Sequence, residues 1–354
     1  MAKSGIKLSD LKSIIKDRNK LSGWALCVGA GTSVPLFPSW HTLVERLAEK
    51  DTSPADAATL TKNLAEHFGY DALIQAAQDR LAYNDKQFAG VLAKELYRTI
   101  RETLNKDEWK LFSRVLSSRR IGDIETQDWE AFLDIAGRYF SKISAFQLAE
   151  IVSKIAESDL APSAILSFNA EPLLVSLINA FCAIKQSPSK KQGLDIITHS
   201  VSNRRVNRIP FYFCHGLLPL PGKPSNKNAA QSIDKLVFSE ASYLQLANLV
   251  FSWQSSVFID VCSSKTVVFV GVSLSDPNMR RWLSWISSNR RLELIQQGKY
   301  TGVSTSHYWI RIEPSLPAEK DWIESAVAHL GVRVVWIDSW DDVGEALKIL
   351  LGMT

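Results

Sequence analysis

Gly29-Ala30-Gly31-Thr32-Ser33 follows the apolar run Trp24-Ala-Leu-Cys-Val28, and far along the chain Phe168-Asn169 ends another such run. Gly29 and Gly31 let the backbone approach a diphosphate closely and present N–H groups to it, and the Ser33 hydroxyl can add one more donor. Asn169 carries a carboxamide, which donates on one edge and accepts on the other, so it could hold a ribose hydroxyl and a water together. Two further segments carry similar potential. His215 precedes Gly216, which leaves one side of the imidazole open, and its ordinary pKa of about 6.5 suits a general base. Gly271-Val-Ser-Leu-Ser-Asp276 offers a turn glycine, the Ser273 hydroxyl and a carboxylate that could bind ribose. Each has a plainer reading too: a steric turn for the glycines, helix caps for Asn169 and Asp276, a satisfied structural group for His215.

The spacing also excludes chemistry. Val34 stands where G-x-G-x-x-G needs its third glycine, and no acidic residue ends a second strand about 20 residues on, which disfavours a hydride-transferring dinucleotide domain. The P-loop spacing is absent as well. Cys27, Cys182, Cys214 and Cys262 lie scattered in apolar segments with no C-x-x-C pair, so buried reduced thiols are expected and no metal.

The elements that must position these residues alternate. A short helix opens at Leu8, Trp24–Val28 reads as a strand, and a helix restarts at Ser39. From Ser53-Pro54 to about Glu157 the periodicity is helical, an insertion or subdomain of about 100 residues. Strand patterns return at Ala164–Phe168, Ile209–Cys214, Thr266–Val270, His307–Ile312 and Val332–Ile337, with a short one expected at Leu236–Phe238. Helices are expected from Glu171 to Ile184, through Tyr243, Leu246, Leu249 and Val250, from Asp276-Pro277, and from about Ala318 and Ser339. Lys185 to Arg208 reads as a polar loop. This predicts an α/β, Rossmann-like, mostly parallel sheet with helices on both faces, plus a helical insertion. In domain terms, residues 1–52 and 160–354 form the nucleotide-binding unit and 53–159 the insertion. Ligands lie outside the carboxyl ends of strands in such sheets, so the four segments should converge on one cleft.

With 46% hydrophobic and 22% charged residues, the 354-residue chain can bury a core without staples. The first residues lack an apolar leader, and no apolar stretch approaches the roughly 20 residues of a membrane helix, so a cytoplasmic protein with no membrane contact is expected. Net charge is only +4, but Lys185 to Lys235 holds nine Lys or Arg against two acidic residues. Lys190, Lys191, Arg204, Arg205 and Arg208 are therefore candidates for meeting nucleic acid or an acidic partner.

The order G-A-G-x-S, strand-end Asn, His-Gly and G-x-S-x-x-D-P, with Pro38-Ser39-Trp40 after the turn, resembles the sirtuin-like NAD-consuming domains of bacterial antiphage defence systems. That resemblance implies that Gly29, Ala30, Gly31, Thr32 and Ser33 hold the diphosphate of NAD+, that Asn169 positions ribose and water, and that His215 is the base. Gly271, Ser273 and Asp276 would line the adenosine side. The four-cysteine zinc ribbon and the arginine of deacylating sirtuins are missing, and T-x-N-x-D appears as Ser167-Phe168-Asn169-Ala170-Glu171. The implied activity is NAD+ hydrolysis to nicotinamide and ADP-ribose, with NAD+ as substrate and no metal, depleting NAD+ in antiviral defence (abortive infection). Gating by a homo-oligomer or by a partner such as a HerA-type hexameric ATPase is implied. The alternative is an idle NAD or ADP-ribose sensor controlling an ATPase or nuclease.

Overall fold

The computed structural model describes residues 5–15, 23–185, 193–200, 205, 208–218, 220, 236–248, 252–299 and 305–353. Among the described residues eight strands form one sheet: β1 (Ile6–Lys7), β2 (Ala25–Val28), β3 (Ala164–Ser167), β4 (Asp195–Ile197), β5 (Pro210–Phe213), β6 (Val267–Val270), β7 (His307–Ile312) and β8 (Val332–Ile337). Their order is β1-β8-β7-β6-β2-β3-β5-β4, and every pairing is parallel. The Rossmann-like α/β expectation holds.

Strand residues alternate between two cores, because successive side chains point to opposite faces. Leu26, Val28, Ile165, Phe211, Phe213, Val268 and Val270 join one apolar cluster, and Ala25, Cys27, Leu166, Tyr212, Val267 and Phe269 join the other. The first cluster is covered by helix Leu173–Lys185, on which helices Thr126–Phe140 and Ser144–Ile155 pack, and by helix Val343–Leu350. Helices Trp253–Ser264 and Pro277–Gln296 supply much of the second. Seven α-helices and one short 3-10 helix lie between Ser53 and Leu160. The two nearest β3 share the sheet's own core. Helices Pro54–Ala65, Tyr70–Arg80 and Asp85–Leu96 gather around helix Trp40–Ala48.

Two local expectations are corrected, and one strand had not been expected. Lys185 to Arg208 is not all loop: Asp195–Ile197 adds the edge strand β4, with the Asp195 N–H bonded to the Ile209 carbonyl at 2.9 Å. Three residues with one charge are too short a pattern to announce a strand. Leu236–Phe238 is an extended strap rather than a strand; the Val237 N–H donates to the His215 carbonyl (3.1 Å), and the Phe238 ring packs on Trp40 at 5.2 Å. Ile6–Lys7 forms a strand the sequence did not signal, because its two residues acquire a partner only in β8. The expectations on Lys190, Lys191, Arg204, Leu249 and Val250 lie outside the described residues. No described helix is long and apolar enough to cross a membrane.

The sheet reverses winding at β2, which has β3 on one side and β6 on the other. There the ends of β2 and β6 touch backbone to backbone: Gly29 N–H donates to the Val270 carbonyl (3.1 Å) and Gly31 N–H to the Gly271 carbonyl (3.0 Å). A Cβ on Gly31 would lie 2.9 Å from the Gly271 Cα, and one on Gly271, where φ is +65°, would lie 2.4 Å from the Thr32 nitrogen. Gly271→Ala is therefore expected to destabilise the protein by about 2–4 kcal/mol through strain and overpacking. Urea unfolding measures this; a loss below about 1 kcal/mol would mean the two backbones do not depend on that contact.

Candidate functional site

The four segments do converge. Gly29 follows β2, Asn169 lies just beyond β3, His215 beyond β5 and Gly271 follows β6, so adjacent strands β6-β2-β3-β5 deliver all of them to the carboxyl edge. That edge, at a winding reversal, is where doubly wound sheets bind ligands.

The turn after β2 tightens into a 3-10 helix at Ala30–Thr32. Its N–H groups are less available than the glycines suggested. Those of Gly29 and Gly31 bond the β6 end, while Thr32 N–H donates to the Gly29 carbonyl (3.0 Å) and Ser33 N–H to that of Ala30 (3.1 Å). The glycines thus fuse two strand ends first, and any ligand approach falls to Ala30 and the side chains. Thr32 and Ser33 are both buried.

Across from them, Glu171 organises the end of β3. Its Oε1 accepts from the Ser33 hydroxyl at 2.6 Å and from Asn169 Nδ2 at 3.0 Å, and its Oε2 accepts from the Leu173 N–H at 2.5 Å. Asn169 Nδ2 also lies 3.3 Å from Thr32 Oγ1 and 3.4 Å from Ser33 Oγ. Glu171 Oε1 accepts from both groups here, which turns the nitrogen end of the Asn169 amide toward it. The other end, Asn169 Oδ1, is buried and has no partner among the described residues. Burial pushes the Glu171 carboxyl up to about 7, against the pull of the hydrogen bonds from Ser33, Leu173 and Asn169. The sequence offered Glu171 only as a departure from T-x-N-x-D; its two-residue spacing from Asn169 was the available signal.

His215 is 4% exposed, between Phe168 (rings 4.8 Å apart, edge-on) and Tyr243 (5.4 Å, edge-on). Its Nδ1 is 3.5 Å from the Tyr243 hydroxyl and its Nε2 is 3.9 Å from Asp276 Oδ2. Burial pushes its pKa down to about 4, opposed by the Asp276 charge, so the ring is neutral near pH 7. Gly216, with φ +82°, turns the chain away after it. Asp276 caps helix Pro277–Gln296, accepting from the N–H groups of Asn278 (2.8 Å) and Met279 (3.2 Å). The cap therefore sits beside the histidine. Ser273 is exposed and bonds Ser275 Oγ at 2.6 Å. Between them Leu274 has φ +54°, a conformation disfavoured for a side chain with a Cβ, and Arg280 and Trp309 hold the loop by bonds to the Leu274 and Val272 carbonyls (3.1 and 2.8 Å).

A small cavity of about 30 Å3 opens between the first turn and the end of β3, lined by Ala30, Ser33, Asn169, Glu171, Trp40 and Phe238 among others but not by His215, Gly271, Ser273 or Asp276. That is room for one or two waters. Phe238, Trp40 and Tyr243 were missed as site residues, since only folding brings the strap and the helix Glu240–Asn248 here. Among the described residues no group of three His, Cys, Asp or Glu could hold a metal ion.

Residues 176–334 match the family model described as SIR2-like domain. The chain is thus similar over that stretch to sirtuin-like domains, which is compatible with NAD-related activity. The match takes in His215, Gly271, Ser273 and Asp276, whereas Gly29–Ser33, Asn169 and Glu171 precede it. No curated protein matches the chain.

Glu171 binds its proton more tightly folded than unfolded, since burial raises its pKa from 4.5 to about 7. Its contribution to stability is thus complete below pH 4.5 and is lost as pH rises through about 7. Glu171→Gln removes that titration. The stability of the natural protein relative to Glu171→Gln should therefore fall between pH 5 and 8, measured by urea unfolding at each pH; a flat or rising difference would contradict the buried-carboxylate account.

Proposed function

We infer that this chain is an NAD+ glycohydrolase, which cleaves the bond between nicotinamide and ribose. The observation that carries the reading is the buried, unpartnered Asn169 Oδ1, with its amide nitrogen held by Glu171, next to the ring pair Phe168–His215. An oriented acceptor can receive one hydrogen of a water and aim its lone pair at the anomeric carbon. Cleavage passes through an oxocarbenium-like transition state. The bond to the cationic ring breaks, its electrons return to the ring, and nicotinamide leaves neutral. Water adds to the sugar and releases a proton, giving ADP-ribose. A neutral His215 accepts a hydrogen bond from a ribose hydroxyl and eases the developing positive charge.

In this reading the diphosphate lies along Gly29 to Ser33, and Gly271, Ser273 and Asp276 face the adenosine half. No metal takes part. The small size of the cavity beside Asn169 supports a gated enzyme: ligand sites are usually about 300–1,000 Å3, so Trp40 and Phe238 must part before NAD+ enters. A homo-oligomer or a HerA-type ATPase is the proposed gate, and depletion of NAD+ in antiviral defence the proposed role. Glu171 in place of the usual Asp of T-x-N-x-D supports, as a second reading, an idle NAD or ADP-ribose sensor subunit. Contact of the basic segment with nucleic acid is a further, separate proposal.

Incubation of the protein with NAD+, with and without candidate partners, followed by chromatography of released nicotinamide, tests this. Asn169→Ala should lower turnover by about 10²–10³-fold and His215→Ala by about 10²-fold or more, with thermal melting confirming that both are folded. Activity that survives both substitutions would overturn the mechanism, and NAD+ binding without turnover under every condition would favour the sensor.

A further inference from the structure

Beyond the Leu236–Phe238 strap lies a second, larger cavity of about 520 Å3. Its walls are helices Tyr70–Arg80 and Asp85–Leu96 on one side and residues 236–239, helix Glu240–Asn248 and residues 252–254 on the other. Phe238 lines both cavities, so the two are neighbours that share one wall. The volume falls in the range of about 300–1,000 Å3 usual for small-molecule sites.

The lining is selective. Gln254 is only 7% exposed, and its side chain lines the cavity. Two other lining residues hold buried polar atoms without partners, Trp253 at Nε1 and Gln75 at Oε1. Buried polar atoms left unpaired are costly, and a ligand edge is one way to pair them. Asp85 is the only charged residue among the described lining, and it accepts from Gln78 Nε2 at 2.8 Å. With no cation among the described lining residues, they offer phosphates and carboxylates no charge partner. Phe88, Phe238 and Trp253 add flat apolar surface. A carboxamide pairs in two-point fashion with any ring edge that sets a donor beside an acceptor, as glutamine does with adenine.

We propose that this cavity is a second ligand site, for an uncharged planar heterocycle bearing an adjacent donor and acceptor, such as a free nucleobase, a nucleoside or an aromatic amide, recognised by Gln254. Its occupant would press on Phe238 and on the helix that carries Tyr243, and so bear on the site beside Asn169. The binding claim itself is independent of what that site catalyses.

Isothermal titration of the full chain with adenine, adenosine, nicotinamide and AMP tests it. At least one uncharged compound should bind, with AMP about tenfold or more weaker than adenosine, and Gln254→Leu should weaken binding by about tenfold or more. Ser242→Trp, placed on a partly exposed helix position, should abolish binding by filling the cavity, while Asn169→Ala should leave it intact; thermal melting checks that each variant is folded. The three uncharged compounds tell base, nucleoside and amide apart. The proposal is overturned if none of them binds, if AMP binds as well as adenosine, if Ser242→Trp leaves binding unchanged, or if Asn169→Ala removes it.

Discussion

The contact of the β2 and β6 ends through Gly31 and Gly271 is the constraint on which the site depends. Two polypeptide backbones approach so closely there that neither position has room for a Cβ, and Gly271 also takes a left-handed conformation. The contact holds the winding reversal of the sheet together at the height where β2, β3, β5 and β6 end. If the two ends were farther apart, the turn after β2 could not set Thr32 and Ser33 against the end of β3. The same contact engages the N–H groups that a glycine-rich turn would otherwise offer to a ligand.

From that junction the polar chemistry follows. Ser33 and Asn169 come from strands adjacent in the sheet but distant in sequence, and Glu171 joins them. The cluster is buried, so its geometry is set by the demand that every donor find an acceptor in low dielectric. Among the described residues one atom of the cluster, Asn169 Oδ1, is left without a partner. A buried acceptor at the carboxyl edge of a parallel sheet stands where such sheets bind ligands. The match of residues 176–334 to the SIR2-like domain model is compatible with a ligand that is NAD-related.

The aromatic residues around it determine access. Trp40 reaches in from the helix after the first turn and Phe238 from the strap tied to the His215 carbonyl, and together they narrow the space beside Asn169. On the far side of Phe238 the wall is rich in amides and hydroxyls instead. The strap therefore divides two environments of different chemistry, with the helices after Pro54 closing the outer one.

By itself the sequence determined the alternation of strands and helices and the strand-end positions of Gly29–Ser33, Asn169, His215 and Gly271, because apolar periodicity and turn chemistry are local properties that each segment carries alone. It also marked Ser53 and Asp276 as caps. It did not determine β1 or β4, two- and three-residue strands that exist only because β8 and β5 offer them edges, nor did it make Leu236–Phe238 a strand, since no neighbouring strand was there to pair with it. The tertiary structure alone decided that the N–H groups of Gly29 and Gly31 bond the end of β6, that Glu171 orients Asn169, and that Phe168 and Tyr243 flank the histidine. Those are relations between segments far apart in the chain, fixed by burial and hydrogen-bond satisfaction in a shared interior, and no local pattern records them.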